Sequence, residues 1–278
     1  MTNFNINPII ALLSDFGTKG HHYVASMKGI ILKINPNVKI VDISHQISPY
    51  SIIEASYVLK TTYNHFPYGT IFIIVVDPGV GSSREIIVLK TNSNYYFICP
   101  NNGILPNVID KTGISECINI QNDEYFNIPT SNTFHGRDIM APIGAHISNG
   151  SSLKKFGSNF DLVNLIESPL IYNIFPKERK IRCMIQFIDS FGNGTTNIPI
   201  ANNNITHSDF VLKEGSTIRI NLNENEYEGK LTTHFSNVPV NSILFLVGST
   251  GFLEISINQG NASKELNFKV GDIITIKL

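Results

Sequence analysis

The chain has 278 residues, of which 42% are apolar and 15% are charged, and its formal net charge at pH 7 is −1. This composition excludes a disordered protein, and the balanced charge argues against nucleic acid as a partner, since nucleic-acid-binding proteins usually carry a basic face. The three cysteines, Cys99, Cys117 and Cys183, predict neither a disulfide framework nor a zinc site because they are odd in number and widely spaced.

The cysteine pattern fits a reducing compartment, so we expect a cytoplasmic protein. Met1 to Pro8 lack the basic and apolar regions of a signal peptide. The longest apolar runs are strand-sized and fall well short of the roughly 18 residues of a membrane-spanning helix, so no membrane partner is expected.

The first half of the chain predicts alternating strands and helices. Helical periodicity lies between short apolar runs, with strands expected at 9–14, 38–43 and 71–76 and helices at 23–34 and 51–64. Apolar runs without alternation suit parallel strands that are covered on both faces, and the alternating order predicts βαβ units.

A hairpin and a third helix complete this half. We expect the hairpin from residues 86–89 and 95–98, and the helix over 139–147 with Pro142 in its first turn, where proline is tolerated. Residues 1–170 are therefore predicted to form a Rossmann-like α/β domain with a mainly parallel sheet.

The second half changes character, because helical periodicity is nearly absent after residue 180. Short strands are separated by Gly, Asn and Asp, and they are expected at 181–188, 217–222, 242–247, 253–257 and 272–278. This pattern predicts a smaller β-barrel domain over residues 171–278.

Two carboxylates, Asp15 and Asp77, directly follow predicted parallel strands. In open α/β sheets ligands bind beyond the carboxyl ends of the strands, and a carboxylate there can accept two hydrogen bonds from ribose hydroxyls. A turn or helix-capping role remains the alternative for each aspartate.

The segment after Asp77 reads DPGVGSSR and ends at Arg84. Its glycines permit close approach of a ligand to the backbone, but it is neither a Walker loop nor a GxGxxG turn. Asp77 and Arg84 are expected to form an ion pair across the loop, either as a structural clamp or as part of a site.

The segment FHGRD at 134–138 places an imidazole, a guanidinium and a carboxylate just before a predicted helix. His135 is the candidate general base, since histidine titrates near neutral pH. Asp138 is interpreted as the helix N-cap, and Arg137 is expected to pair with a neighbouring acid. The other histidines, including His45, are interpreted as surface or packed residues.

Five motifs occur along the chain in a fixed order, and the last two would by themselves be turns between barrel strands. They read LSDFG at 13–17, VDPGVG at 76–81, FHGRD at 134–138, DSFGN at 189–193 and STGFLE at 249–254. Together they resemble the S-adenosyl-L-methionine (SAM) hydroxide adenosyltransferases, the adenosine-forming SAM hydrolases related to fluorinase and chlorinase. The similarity spans nearly the whole chain.

The resemblance implies an N-terminal α/β domain and a C-terminal β-barrel that assemble as a homotrimer. SAM would bind between the N-terminal domain of one subunit and the C-terminal domain of its neighbour. The implied reaction is hydrolysis of SAM to adenosine and L-methionine, with SAM as the substrate and with no metal or other cofactor.

The resemblance also assigns residues to roles. The catalytic set falls on Asp77, Arg84 and His135, and the ribose-binding aspartate on Asp15. The C-terminal ligand positions fall on Asp189, which suits the methionine ammonium, on Asn193, which suits the adenine edge, and on Ser249 and Glu254. The halogenases differ at the positions of Asp77 and His135, so this sequence is more similar to the branch that uses water.

Three alternatives stay open on the sequence. Asp15, Asp77, Asp138 and His135 could gather a divalent metal for hydrolysis of a nucleotide phosphoester. The chain could instead be a non-catalytic SAM- or adenosine-binding module. Finally, halide could act as a poor nucleophile in place of water.

Overall fold

The computed structural model describes residues 7–223 and 225–278. The chain divides into two compact units at the peptide between Ser168 and Pro169. Of the segment Met1 to Pro8, in which we found no signal peptide, residues 1–6 lie outside the described part. The longest described helix has 14 residues, and none in these ranges combines the length and hydropathy of a bilayer span.

Residues 7–168, the described part of the first unit, contain seven strands and three α-helices. The strands are β1 Ile9–Ser14, β2 Lys39–Ser44, β3 Ile71–Val75, β4 Ile86–Thr91, β5 Tyr96–Pro100, β6 Ile114–Ile120 and β7 Gly157–Asn159. The helices are α1 His21–Ile34, α2 Ile52–Thr62 and α3 Ala141–Ser148. Each strand and helix predicted in this half is present, with its ends shifted by no more than two residues.

The seven strands form one sheet in the order β2-β1-β3-β5-β4-β6-β7. The pairings from β2 through β5 are parallel, whereas β4 pairs antiparallel with β5 and β6, and β6 with β7. The expected parallel sheet is therefore correct for one half and wrong for the other. A parallel neighbour needs a crossover of about a dozen residues, and the short turn between Thr91 and Tyr96 allows only the predicted hairpin.

Helices cover both faces of the parallel half. Leu12 of β1 belongs to the same apolar cluster as Met27 of α1, while its neighbour Leu13 clusters with Leu59 of α2. All five residues of β3 are buried. Burial on both faces explains why these strands show no alternation of apolar and polar residues.

The entry into α3 differs from the prediction. A π-helical turn, Gly136–Met140, precedes the helix, and Pro142 lies in the first α-helical turn as expected. His135 already has helical backbone angles, so Asp138 lies inside the helical segment. The interpretation of Asp138 as an N-cap is therefore wrong.

The second unit is a β-barrel, and its described residues include a short α-helix, α4 Ala262–Glu265. Its strands are β8 Asn173–Phe175, β9 Lys180–Ile188, β10 Gly194–Ala201, β11 Asn204–Ile205, β12 Thr217–Leu222, β13 Asn225–Leu231, β14 Ile243–Val247, β15 Phe252–Ile257 and β16 Ile273–Lys277. Seven of them close in the order β10-β15-β14-β13-β12-β16-β9, because β9 also pairs with β10. The predicted barrel is confirmed.

All five strands predicted in this half are present, but β8, β10, β11 and β13 were missed. The sequence of β10, GTTNIPIA, is buried at most positions and contains threonine, asparagine and proline, so it shows no apolar alternation. That of β13, NEYEGKL, is mostly exposed and polar. Neither has the pattern by which a half-buried strand is recognised.

Candidate active site

A pocket of about 600 Å³ lies beyond the carboxyl ends of β1 and β3 in the first unit. Asp15 directly follows β1, and Asp77 lies two residues beyond β3. Both aspartates line this pocket, and so does His135. The position agrees with the general rule that open α/β sheets bind ligands beyond the carboxyl ends of their strands.

Asp15 is tied to the loop that follows β2. Its Oδ2 accepts a hydrogen bond of 2.8 Å from the backbone N–H of Tyr50. Burial raises the pKa of Asp15, the bond from Tyr50 partly opposes the shift, and the nearby charge of Asp77 adds to it. Two carboxylates thus share one pocket, and a ligand that offers hydroxyl or cationic groups would relieve their repulsion.

Asp77, Arg84 and His135 form one hydrogen-bonded group. Arg84 Nε lies 2.8 Å from both carboxylate oxygens of Asp77, and its Nη2 also bonds Oδ2. The same Nη2 lies 2.9 Å from Nδ1 of His135. The predicted ion pair is present, and it extends to a histidine that lies 51 residues further along the chain.

The contact with Arg84 determines the protonation of His135. A guanidinium only donates hydrogen bonds, so Nδ1 must accept, and the proton of the neutral ring resides on Nε2. Burial and the charge of Arg84 lower the pKa of His135, against the opposing effect of Asp77 and Asp138. The ring is therefore neutral at pH 7 and presents an N–H donor.

The loop 77–84 approaches the segment before His135 closely. Gly81 has φ +79°, and a Cβ there would lie 2.5 Å from the carbonyl oxygen of Asn132. Asp77 also stabilises the turn at the start of this loop, because its Oδ1 accepts a hydrogen bond of 3.2 Å from the N–H of Gly79. Only glycine at position 81 lets the two segments meet at this distance.

Asp138 holds the segment on the other side of His135. It is fully buried, and its carboxylate accepts bonds of 2.7–2.9 Å from Arg137, Asn127 and the backbone of Ser131. Burial alone would raise the pKa of Asp138, but these bonds outweigh it and lower the pKa. The expected pairing of Arg137 with an acid is confirmed.

Aromatic residues form another part of the pocket wall. Phe16, Tyr23 and Phe134 contact one another with ring centroids 5.1–5.8 Å apart. Neither these rings nor Tyr50, which lines the pocket with a positive φ of 65°, were among the residues predicted for the site. Phe16 and Phe134 belong to the motifs LSDFG and FHGRD, and this position in a motif is the sequence signal that could have identified them as site residues. No such signal marks Tyr50. Aromatic faces attract cations, including those of ligands.

The predicted C-terminal residues lie in the second unit. Asp189 Oδ1 accepts from the N–H groups of Phe191 and Asn193, both at 2.9 Å, and its Oδ2 accepts from the Asn193 side chain at 2.8 Å. This is the turn between β9 and β10 that the sequence predicted. The Asp189 and Asn193 side chains are thus held together.

Glu254 and Ser249 lie in the hairpin formed by β14 and β15. Burial raises the pKa of Glu254, and the charge of Asp189 adds to the shift. Ser249 is exposed in the turn that Gly251 closes onto the carbonyl of Gly248 at 2.9 Å. Asp189 and Asn193 are hydrogen-bonded to each other, Glu254 accepts a hydrogen bond of 3.5 Å from Thr195 on β10, and Ser249 lies in the turn that precedes β15.

The metal alternative required Asp15, Asp77, Asp138 and His135 to converge on one ion. In the described ranges no group of three or more His, Cys, Asp or Glu side chains is arranged to hold a metal. The carboxylate of Asp138 is directed to Arg137, Asn127 and Ser131 instead.

Family models match both parts of the chain. The model described as the SAM hydroxide adenosyltransferase N-terminal domain matches residues 10–157, and the model of the C-terminal domain matches residues 183–275.

Individual proteins are similar over almost the full length. An (R)-S-adenosyl-L-methionine hydrolase from Methanocaldococcus jannaschii is 38% identical, covering 98% of this chain and 97% of its own. A fluorinase from Actinoplanes sp. is 27% identical, covering 98% of each chain. The crystal structure of an uncharacterized conserved protein from Thermotoga maritima has a TM-score of 0.84 and 35% identity, covering 97% of this chain and 100% of its own.

Proposed function

Because the chain belongs to the SAM hydroxide adenosyltransferase family, we propose that it hydrolyses SAM to adenosine and L-methionine. The observation that carries this proposal is the Asp77–Arg84–His135 group at the edge of a pocket that also holds Asp15 and an aromatic wall. We propose no metal or other cofactor for the reaction.

The reaction is a displacement at C5′ of SAM. Water oxygen forms a bond to C5′, the electron pair of the C5′–S bond goes to sulfur, and the water gives up a proton. Sulfur leaves as a neutral thioether, so no general acid is needed for the leaving group. The difficulty lies with the nucleophile, since bulk water has a pKa of about 15.7.

The site meets this difficulty by positioning and charge. The Nε2–H of His135 can orient the attacking water by donating to its oxygen, while Nδ1 is occupied by Arg84. Asp77 is then the remaining base of the group. The fixed charge of Arg84 stabilises the hydroxide character that develops on the water. Alignment opposite the C5′–S bond lowers the barrier further.

Asp15 and the aromatic wall suit the substrate itself. The half-buried carboxylate can accept hydrogen bonds from the ribose hydroxyls and hold C5′ in place. Phe16, Tyr23 and Phe134 can face the sulfonium, whose positive charge is attracted by aromatic faces. This attraction is lost when sulfur becomes neutral, which favours release of methionine.

We propose that the two units are the domains predicted at residues 1–170 and 171–278, and that the protein is a homotrimer. In this arrangement Asp189, Asn193, Ser249 and Glu254 of a neighbouring chain would complete the site, with Asp189 binding the ammonium of the methionine moiety. The prearranged bonds between Asp189 and Asn193 support the assignment.

The test is incubation of the purified protein with SAM in chelator and without added halide, followed by chromatography. Equimolar adenosine and methionine are expected, and they should be lost in Asp77→Ala. Intact SAM after incubation with the wild-type protein would contradict the proposal and favour a non-catalytic binding module.

A further inference from the structure

A line of four polar side chains runs behind one wall of the pocket. Ser14 Oγ lies 2.7 Å from Nδ1 of His45, and His45 Nε2 lies 3.1 Å from Oδ1 of Asp42. Lys28 Nζ donates to the other Asp42 oxygen at 2.6 Å. Serine, histidine and aspartate are the residue types of a hydrolase triad, but Ser14 is only 1% exposed, so no substrate can reach its hydroxyl.

The imidazole of His45 is held from both sides. Nδ1 contacts the buried Ser14, and the buried Nε2 faces the carboxylate of Asp42 closely, although without the alignment of a hydrogen bond. Burial alone would raise the pKa of Asp42, but the hydrogen bond from Lys28 and the close approach of His45 outweigh it and lower the pKa. Asp42 therefore stays ionised at neutral pH and fixes the outer edge of the ring.

His45 joins two segments that build the pocket wall. Besides its side-chain link to Ser14, its carbonyl accepts a bond of 2.7 Å from the N–H of Gly17. Tyr50 N–H, five residues beyond His45, closes the third link onto Asp15. The segments contribute four residues to the pocket lining: Asp15, Phe16, Pro49 and Tyr50.

We propose that His45, held by Ser14 and Asp42, is a positioning residue for substrate binding. It fixes the segment that carries Asp15 against the segment that carries Tyr50. The Asp77–Arg84–His135 group is carried by other segments, 75–84 and 127–138. Loss of the His45 side chain therefore weakens binding of the adenosine part and leaves the chemical step intact. The inference rests on the proposed function, because Asp15 is its ribose anchor.

Three variants test this inference. His45→Leu removes both ring nitrogens, Ser14→Ala removes the hydroxyl, and His45→Asn keeps an amide near the position of Nδ1 for Ser14. His146→Leu is the matched control, because His146 is also a half-buried imidazole but contacts Tyr125 in a different part of the unit. The readouts are kcat, the KM for SAM, the Kd for adenosine by calorimetry, and the Tm.

We expect His45→Leu and Ser14→Ala to raise KM and the adenosine Kd roughly three- to tenfold, the range for loss of one hydrogen bond. In both variants kcat should stay within about twofold of the wild-type value. For His45→Asn, KM and the adenosine Kd should lie nearer the wild-type values than they do for His45→Leu.

A lowered Tm with unchanged KM and Kd would mean that His45 is merely structural and would overturn the inference, as would a fall in kcat alone. If wild-type protein leaves SAM intact, the proposed function fails, and the adenosine Kd still decides the role of His45. Absence of adenosine binding by the wild-type protein would overturn both.

Discussion

Replacing Arg84 with lysine separates the charge of this residue from its geometry. The guanidinium contacts Asp77 through Nε and Nη2 while Nη2 also reaches Nδ1 of His135. A lysine ammonium can keep the ion pair with Asp77. As a single point charge, however, it does not reproduce the planar guanidinium, which bonds Asp77 and His135 at the same time. Arg84→Lys therefore retains positive charge and loses the bond that fixes the His135 ring.

The size of the effect follows from that lost bond. A hydrogen bond to a charged group contributes about 1.5–3 kcal/mol, so kcat should fall roughly 10- to 100-fold. The side chains of Arg84 and Asp77 are only 11% and 6% exposed. Because the ion pair persists, the free energy of unfolding should fall by less than the roughly 3–5 kcal/mol that loss of one partner of a buried pair costs.

The assay is steady-state hydrolysis of SAM, with adenosine quantified by chromatography, alongside chemical denaturation. Arg219→Lys is the control, since Arg219 pairs with Glu228 on the exposed surface of the barrel and should tolerate the exchange. Wild-type kcat in Arg84→Lys would refute the argument that the guanidinium positions His135. Loss of folded protein would show that the fork matters mainly for stability.

Four further predictions follow from the same geometry. Burial and Arg84 lower the pKa of His135, so kcat should stay level as the pH falls to about 6.5 and decline only below that pH. There the ring becomes charged and can no longer accept a hydrogen bond from Arg84. An inflection of kcat above pH 6.5 would contradict this prediction. Gly136→Ala should slow turnover, because the added Cβ would lie 2.8 Å from Val75 and displace the neighbouring His135. Gly144→Ala would make a similar contact with Ile73 and should lower only the Tm. Equal activity of the two variants would contradict the prediction that a side chain at position 136 disturbs His135. Light scattering should give the mass of three chains, and a monomer that turns over SAM would rule out the shared site. Chloride should yield no 5′-chloro-5′-deoxyadenosine by chromatography, because Asp77 repels an anion near C5′, and formation of that product would show that halide competes with water.

Much of the fold was readable from local patterns. Apolar runs at 9–14 and 71–76 became β1 and β3, and the helical periods between them became α1 and α2. Each of these strands and helices is predicted by the pattern of apolar residues within its own segment, so a short window of the sequence is enough to recognise it. The pairing of the predicted β4–β5 hairpin with β6 and β7, and strands such as β10, depend on which distant strand pairs with which, and they were missed for that reason.

The candidate site divides in the same way. The sequence by itself placed Asp15 and Asp77 at strand ends and predicted the ion pair between Asp77 and Arg84, since that loop is short and local. Only the tertiary structure brought His135 to Arg84 Nη2, and it alone determined which imidazole nitrogen carries the proton.

His45 and Asp138 show the physical reason most clearly. His45 was interpreted as a surface or packed residue and Asp138 as a helix cap, yet one bonds to Ser14 and the other holds Asn127 and Ser131. Residue type and spacing determine which groups are available and on which element they lie. Their hydrogen-bond partners depend on how loops from distant parts of the chain pack, and that is decided by the burial of the whole apolar core.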